Sequence, residues 1–120
     1  MASTGPGKEL IDVDRGGAVP VVTPRMKRLD ASVAPAFKQA VVQVVEAGDK
    51  RLVLDLSGVE FLDSSGLGAL VSVLKAAGSQ GALAVCGARG AVLSLFKLTR
   101  MDKVFEIHAA RADALARMGA

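Results

Sequence analysis

Aromatic residues are scarce in this sequence of 120 residues, which contains four phenylalanines and neither tryptophan nor tyrosine. Because hydrophobic residues still make up 51% of the chain, leucine, valine and alanine must fill most of its core. Nucleic-acid surfaces need stacking aromatic side chains and a dense basic stripe, whereas the net charge here is only +3. We therefore expect no nucleic-acid partner. The small basic group of Arg25, Lys27 and Arg28 is expected to be a solvated face or to steer an acidic partner.

Cysteine and histidine occur once each, as Cys86 and His108. An internal disulfide is therefore impossible, and no ligand cluster is present, so we expect no metal and no cofactor. Long apolar runs and a signal-peptide core are also lacking, which predicts a cytoplasmic protein with no membrane partner. Cys86 is expected to pack as a small apolar residue. Asp55 interrupts an apolar run and is expected on the exposed side or at the end of its strand.

Length and hydrophobic content favour a single globular domain. Residues 1–8 are small and polar, which predicts a flexible leader before a domain that spans 9–120. Apolar residues at helical spacing predict a helix over roughly 33–47, and a continuous apolar run predicts a buried strand at 51–56. Such alternation is typical of an α/β fold with a mixed sheet. The other predicted elements are a hairpin around Gly16-Gly17, a helix from "DSSG" to Gly78 and a strand at 82–87. After these, "AVLSLFKL" predicts a short helix, "KVFEI" predicts a last strand and "AARADALARMG" predicts a terminal helix.

The stretch "EFLDSSGLGAL" begins the second helix just beyond a central strand, where ligands and chemistry are found in open α/β sheets. Asp63, Ser64 or Ser65 could cap the free amides of the first helical turn, and taken alone this is the commoner role of such residues. Gly66 and Gly68 each cost roughly 1 kcal/mol of helix stability relative to alanine. The glycines therefore indicate that another backbone or a ligand comes close to this turn.

A serine in this place could take part in several kinds of chemistry. A serine hydrolase needs a Gly-x-Ser-x-Gly elbow and a histidine base, but the sequence lacks the elbow, and His108 has the character of a structural residue. A phosphate-binding P-loop needs a Gly-Lys-Ser/Thr sequence, which is missing. What remains is a hydroxyl that another enzyme modifies, and this makes the stretch a candidate phosphoacceptor site.

Three segments carry a family resemblance. The segment "LVLDLSGVEFLDSSGLGAL" closely resembles the signature of anti-sigma factor antagonists, whose fold is the STAS domain. The segments "LDASVAPAF" and "AVCGARGAVLSLFKLTRMDKVFEI" extend the resemblance over roughly residues 29–108. It implies an α/β STAS-like fold in which a mixed sheet of roughly four to five strands is covered by about four helices.

The resemblance also implies that the protein acts by binding a partner and has no enzymatic activity itself. In this family the unphosphorylated protein binds an anti-sigma factor, which is also a serine kinase of the histidine-kinase-like ATPase fold, and so frees the sigma factor. Phosphorylation of the serine after the aspartate, here Ser64, ends the binding, and a PP2C-type phosphatase reverses it. The partner-binding residues implied in this sequence are Asp30, Asp63, Ser65, Gly66, Leu67 and Gly68.

The sequence also departs from the family pattern. Lys27 stands where the family usually has a glycine, and Arg100-Met101 stands where it has Gly-Leu. Two alternatives therefore stay open beside the leading hypothesis. One is a STAS interaction module of another signalling or transporter complex, and the other is a small hydrolase that uses Ser64.

Overall fold

A computed structural model describes residues 10–78 and 81–118, so the leader predicted at 1–8 lies outside the described residues. The helices are α1 (Ala34–Glu46), α2 (Ser64–Ala77), α3 (Gly90–Leu98) and α4 (Arg111–Arg117), with a short 3-10 helix at Met101–Lys103. The strands are β1 (Ile11–Asp14), β2 (Val21–Pro24), β3 (Arg28–Leu29), β4 (Arg51–Asp55), β5 (Phe61–Leu62), β6 (Ala82–Cys86) and β7 (Glu106–His108).

The main sheet has five strands in the order β1-β2-β4-β6-β7. Strands β1 and β2 are antiparallel, and the other neighbours are parallel. The hairpin predicted around Gly16-Gly17 is confirmed, and the N–H of Gly16 donates to Oδ1 of Asp14 at 2.9 Å within its turn. Pro24 lies at the outer end of this hairpin, where a missing N–H donor is tolerated. The expected mixed sheet of an α/β fold is therefore confirmed.

Alternation along β4 divides the core between the two faces of the sheet. Leu52 and Leu54 belong to the larger apolar cluster, which also includes the buried faces of α1, α2 and α3. Val53 points to the opposite face and joins a smaller cluster that contains Ala114 of α4 and the following Met118. No helix within the described ranges is both long and apolar enough to cross a membrane.

Cys86 ends β6 and belongs to the smaller cluster. It is 1% exposed, and its burial raises the pKa of the thiol to about 11. The thiol therefore stays protonated at neutral pH, and the packing role expected for this residue is confirmed.

Asp55 ends β4 and is buried, so its expected place at the strand end is confirmed and the alternative of an exposed side is wrong. Its Oδ2 accepts hydrogen bonds from Nε and Nη2 of Arg111 at 3.0 and 2.7 Å. Its Oδ1 accepts the N–H of Ser57 at 3.0 Å. Burial alone would raise the pKa of Asp55, but Ser57 and the Arg111 guanidinium outweigh it and hold the pKa below its ordinary value. The pair ties the first residue of α4 to the centre of the sheet.

Arg111→Ala should destabilise the protein by about 2 kcal/mol at pH 7, because a buried carboxylate would lose its counter-charge. Since the folded-state pKa of Asp55 is lowered, this stabilisation is complete above the unfolded-state pKa of about 4 and is lost as the pH falls through the folded-state value. Urea unfolding at several pH values should therefore show that wild type and Arg111→Ala converge in acid.

Arg117→Ala is the matched control, because Arg117 is also an α4 residue but pairs with Glu106 at an exposed site. Exposed pairs contribute about 0–1 kcal/mol, so this variant should remain close to wild type. Equal losses in the two variants would contradict the role given to Asp55.

Candidate functional site

The start of α2 presents two serine hydroxyls that take no part in capping. Asp63 is the N-cap, with extended φ and ψ of −108° and −174°, and its Oδ1 accepts the N–H of Gly66 at 2.9 Å. Ser64 and Ser65 are the first helical residues, and both are exposed. Within the described residues neither hydroxyl forms a hydrogen bond. Because Asp63 supplies the cap, the side chains of the serines remain available to other molecules.

A second, two-stranded parallel sheet positions this helix start. Strand β3 pairs with β5, so that Leu29 lies opposite Leu62, and both leucines are buried. Asp30 and Asp63 follow these leucines directly and lie together at the carboxyl ends of the two strands. The Oδ2 atom of Asp63 also accepts the N–H of Ala31 at 3.2 Å. The Asp63 carboxylate therefore joins the loop after β3 to the first turn of α2.

Asp30 organises the entry to α1. Its Oδ1 accepts the hydroxyl and the N–H of Ser32 at 2.6 and 3.0 Å, and its carbonyl oxygen accepts the N–H of Ala34 at 2.9 Å. The hydrogen bond from the Ser32 hydroxyl makes the largest contribution to a pKa that lies below the ordinary value of an aspartic acid. The site therefore carries an ionised Asp30 carboxylate beside the exposed serines at neutral pH.

The basic group near the site is partly neutralised within the protein. Nε of Arg28 lies 3.5 Å from Oδ2 of Asp30, and its guanidinium lies over the ring of Phe61 at 4.1 Å from the ring centre. Arg25 lies 3.8 Å from Asp12. The structure therefore favours a local structural role for Arg28, while the steering role expected for the group stays a prediction.

The two glycines of α2 behave differently. A methyl group at Gly66 would lie 2.2 Å from the carbonyl oxygen of Leu29 and 2.6 Å from Cδ1 of Leu62. The close approach of another backbone that the sequence predicted is therefore present at Gly66. Nothing lies within 4 Å of the same position at Gly68, which is exposed.

The structure separates the predicted site residues by exposure. Leu67 is 6% exposed and belongs to the larger apolar cluster, and Gly66 is buried against Leu29. The residues that a second protein could reach most readily are Ser64, Ser65 and Gly68, with half-buried Asp30 and Asp63 beside them.

His108 is the last residue of the edge strand β7. It lines a cavity of about 380 Å³ together with Lys97 and Asp102, and Ser64 does not line that cavity. Its Nε2 atom is buried without a hydrogen-bond partner among the described residues. Within the same residues, no group of three or more His, Cys, Asp or Glu side chains is placed to hold a metal ion.

Comparisons with known proteins agree with this architecture. The family model of the STAS domain matches residues 11–114. The anti-sigma-F factor antagonist RsfB of Mycobacterium tuberculosis is 36% identical over 88 residues, which are 72% of this chain and 71% of RsfB. A crystal structure of an anti-sigma factor antagonist from Mycobacterium paratuberculosis superposes with a TM-score of 0.84 at 33% identity, over 92% of this chain and 93% of that chain.

A more distant structure extends the likeness of fold. The Bacillus cell fate determinant SpoIIAA in its phosphorylated form superposes with a TM-score of 0.66 over 89% of this chain and 97% of that chain. At 14% identity this likeness concerns the fold alone. The family-model match over residues 11–114 and the 36% identity to RsfB show that the chain belongs to the STAS-domain family, among relatives named as anti-sigma factor antagonists.

Proposed function

We propose that this protein is an anti-sigma factor antagonist that is switched by phosphorylation of Ser64. In its unphosphorylated form it binds an anti-sigma factor that is also a serine kinase of the histidine-kinase-like ATPase fold. The observation that carries the proposal is the exposed Ser64 hydroxyl, which begins α2 and is free of capping because Asp63 supplies the cap. The names of the relatives support the anti-sigma factor as the partner.

The chemistry of the site explains how one phosphoryl group can end binding without unfolding the domain. Phosphorylation adds about −1.5 to −2 charges, and a helix N-terminus tolerates negative charge because its amides carry partial positive charge. In a docked complex, however, the dianion would be buried beside the carboxylates of Asp63 and Asp30. Desolvation and like-charge repulsion then weaken the interface. A PP2C-type phosphatase would restore the binding form.

The proposal is tested by purifying every anti-sigma factor of the histidine-kinase-like fold that the source organism encodes. Each is incubated with this protein and ATP, and the modified residue is mapped by mass spectrometry. We expect at least one kinase to modify Ser64, to leave Ser64→Ala unmodified and to modify the control Ser65→Ala. Modification at another residue, or by none of the kinases, would refute the proposed switch.

The hydrolase alternative receives no support from the geometry. A serine nucleophile needs a base within hydrogen-bonding reach. Among the described residues Ser64 forms no hydrogen bond with His108, and the 380 Å³ cavity that His108 lines does not include Ser64. The proposed function accordingly gives Ser64 the role of a substrate for another enzyme and assigns no catalytic residue to this protein.

A further inference from the structure

A groove of about 240 Å³ runs between α1 and α2. Ser65, one of the two exposed serines at the start of α2, lines it. Ala34 and Ala69 are buried and line it with short apolar side chains. Lys38 of α1 and Ser72 of α2 also line it, the first exposed and the second half-buried. The groove therefore combines an apolar floor with one cationic group and two hydroxyls.

We propose that this groove is a specificity determinant of the protein, in which Lys38 binds an acidic side chain that projects from the partner kinase. This inference rests on the proposed function, because the partner kinase is part of that proposal. The groove adjoins the surface that carries Ser64, because the neighbouring Ser65 lines it. The alkyl part of a glutamate or aspartate would lie on the two alanines. Its carboxylate would reach the ammonium of Lys38, with the hydroxyls of Ser65 and Ser72 as further donors.

The charge pattern around the groove favours an anionic occupant. Lys38 forms no ion pair within the described residues, whereas Arg28 already pairs with Asp30 and lies over the ring of Phe61. Asp30 and Asp63 make the neighbouring surface acidic. A partner must therefore place its acidic residue at Lys38 and keep acidic residues away from the aspartates, and this pattern fixes its orientation.

The test measures the binding of the unphosphorylated protein to the kinase that modifies Ser64. Lys38→Glu should weaken binding about tenfold or more, because it replaces an attraction with a repulsion, and Lys38→Met should have a smaller effect in the same direction. Both effects should shrink when the salt concentration is raised from about 0.1 M to 1 M. Lys75→Glu is the matched control, since Lys75 is an exposed lysine of α2 that does not line the groove.

A second pair of variants tests whether the partner must enter the groove. Ser72→Leu should fill it and weaken binding, while Ser94→Leu, at an exposed position of α3, should bind like wild type. If Lys38→Glu binds as tightly as Lys75→Glu while Ser64 is still phosphorylated, the groove assignment is wrong and the proposed function stands. If no kinase binds wild type or modifies Ser64, the proposed function fails and the groove assignment fails with it.

Discussion

Gly66→Ala should destabilise the protein by about 3 kcal/mol, although it adds only one methyl group at the start of α2. The added carbon would lie 2.2 Å from the carbonyl oxygen of Leu29. That oxygen belongs to the backbone of β3 and cannot move away as a flexible side chain could. The helix must therefore shift away from the small sheet, and this cost exceeds the gain of about 1 kcal/mol in helix propensity.

Gly68→Ala provides the control, because it adds the same methyl group to the same helix in open space. It should be neutral or should stabilise the protein by up to about 1 kcal/mol. Since the chain has no tryptophan or tyrosine, unfolding in urea is best followed by far-ultraviolet circular dichroism. Comparable stabilities of the two variants would contradict the close contact between α2 and β3.

Ser64→Asp should weaken binding to the cognate kinase roughly a hundredfold, equivalent to about 3 kcal/mol, while stability changes by less than about 1 kcal/mol. The large effect on binding and the small effect on stability have one physical cause, the solvation of the added carboxylate. In the free protein an aspartate in the first helical turn faces the positive end of the helix and remains solvated. In the complex the same carboxylate would have to lose its water beside Asp63.

Binding can be measured by titration calorimetry with the kinase that modifies Ser64, and stability by urea unfolding of the same samples. Ser94→Asp, at an exposed position of α3, introduces the same charge elsewhere and should bind like wild type. Ser64→Ala should also bind like wild type and resist phosphorylation. Tight binding by Ser64→Asp would show that charge at this position does not control the interface.

The long elements of the fold could be predicted because their patterns are strong. The apolar spacing predicted a helix at 33–47, and α1 spans Ala34–Glu46. The continuous apolar runs at 51–56 and 82–87 correspond to β4 and β6. These segments are long enough for periodicity and turn residues to identify them.

The features that build the site were harder to predict, because they depend on contacts distant in sequence. Strands β3 and β5 have two residues each, too few for a recognisable alternation, yet they bring Asp30 next to Asp63. Asp55 was expected at the end of its strand or on its exposed side, and the second alternative failed because its partner Arg111 lies 56 positions away. The sequence alone could not distinguish Gly66 from Gly68, because only the folded structure places the backbone of Leu29 against Gly66.

A departure from the family pattern is also explained by backbone geometry. The family resemblance implies a glycine where this chain has Arg100, and Arg100 adopts a left-handed conformation with φ of +62°. Glycine is favoured in that region because it has no Cβ atom. A glycine at this position would therefore suit the backbone, and this chain adopts the same left-handed conformation with an arginine.

Ser64 is presented as the first residue of a helix whose cap also holds the loop after β3. On the proposed function, a kinase therefore cannot recognise this serine as part of an extended linear motif, because the neighbouring backbone is helical and Leu67 is buried beneath it. A short synthetic peptide that carries the same letters would lack the second loop, the groove and the fixed orientation of the hydroxyl. Inhibitors that compete with this protein for the kinase would have to imitate a folded surface rather than a peptide.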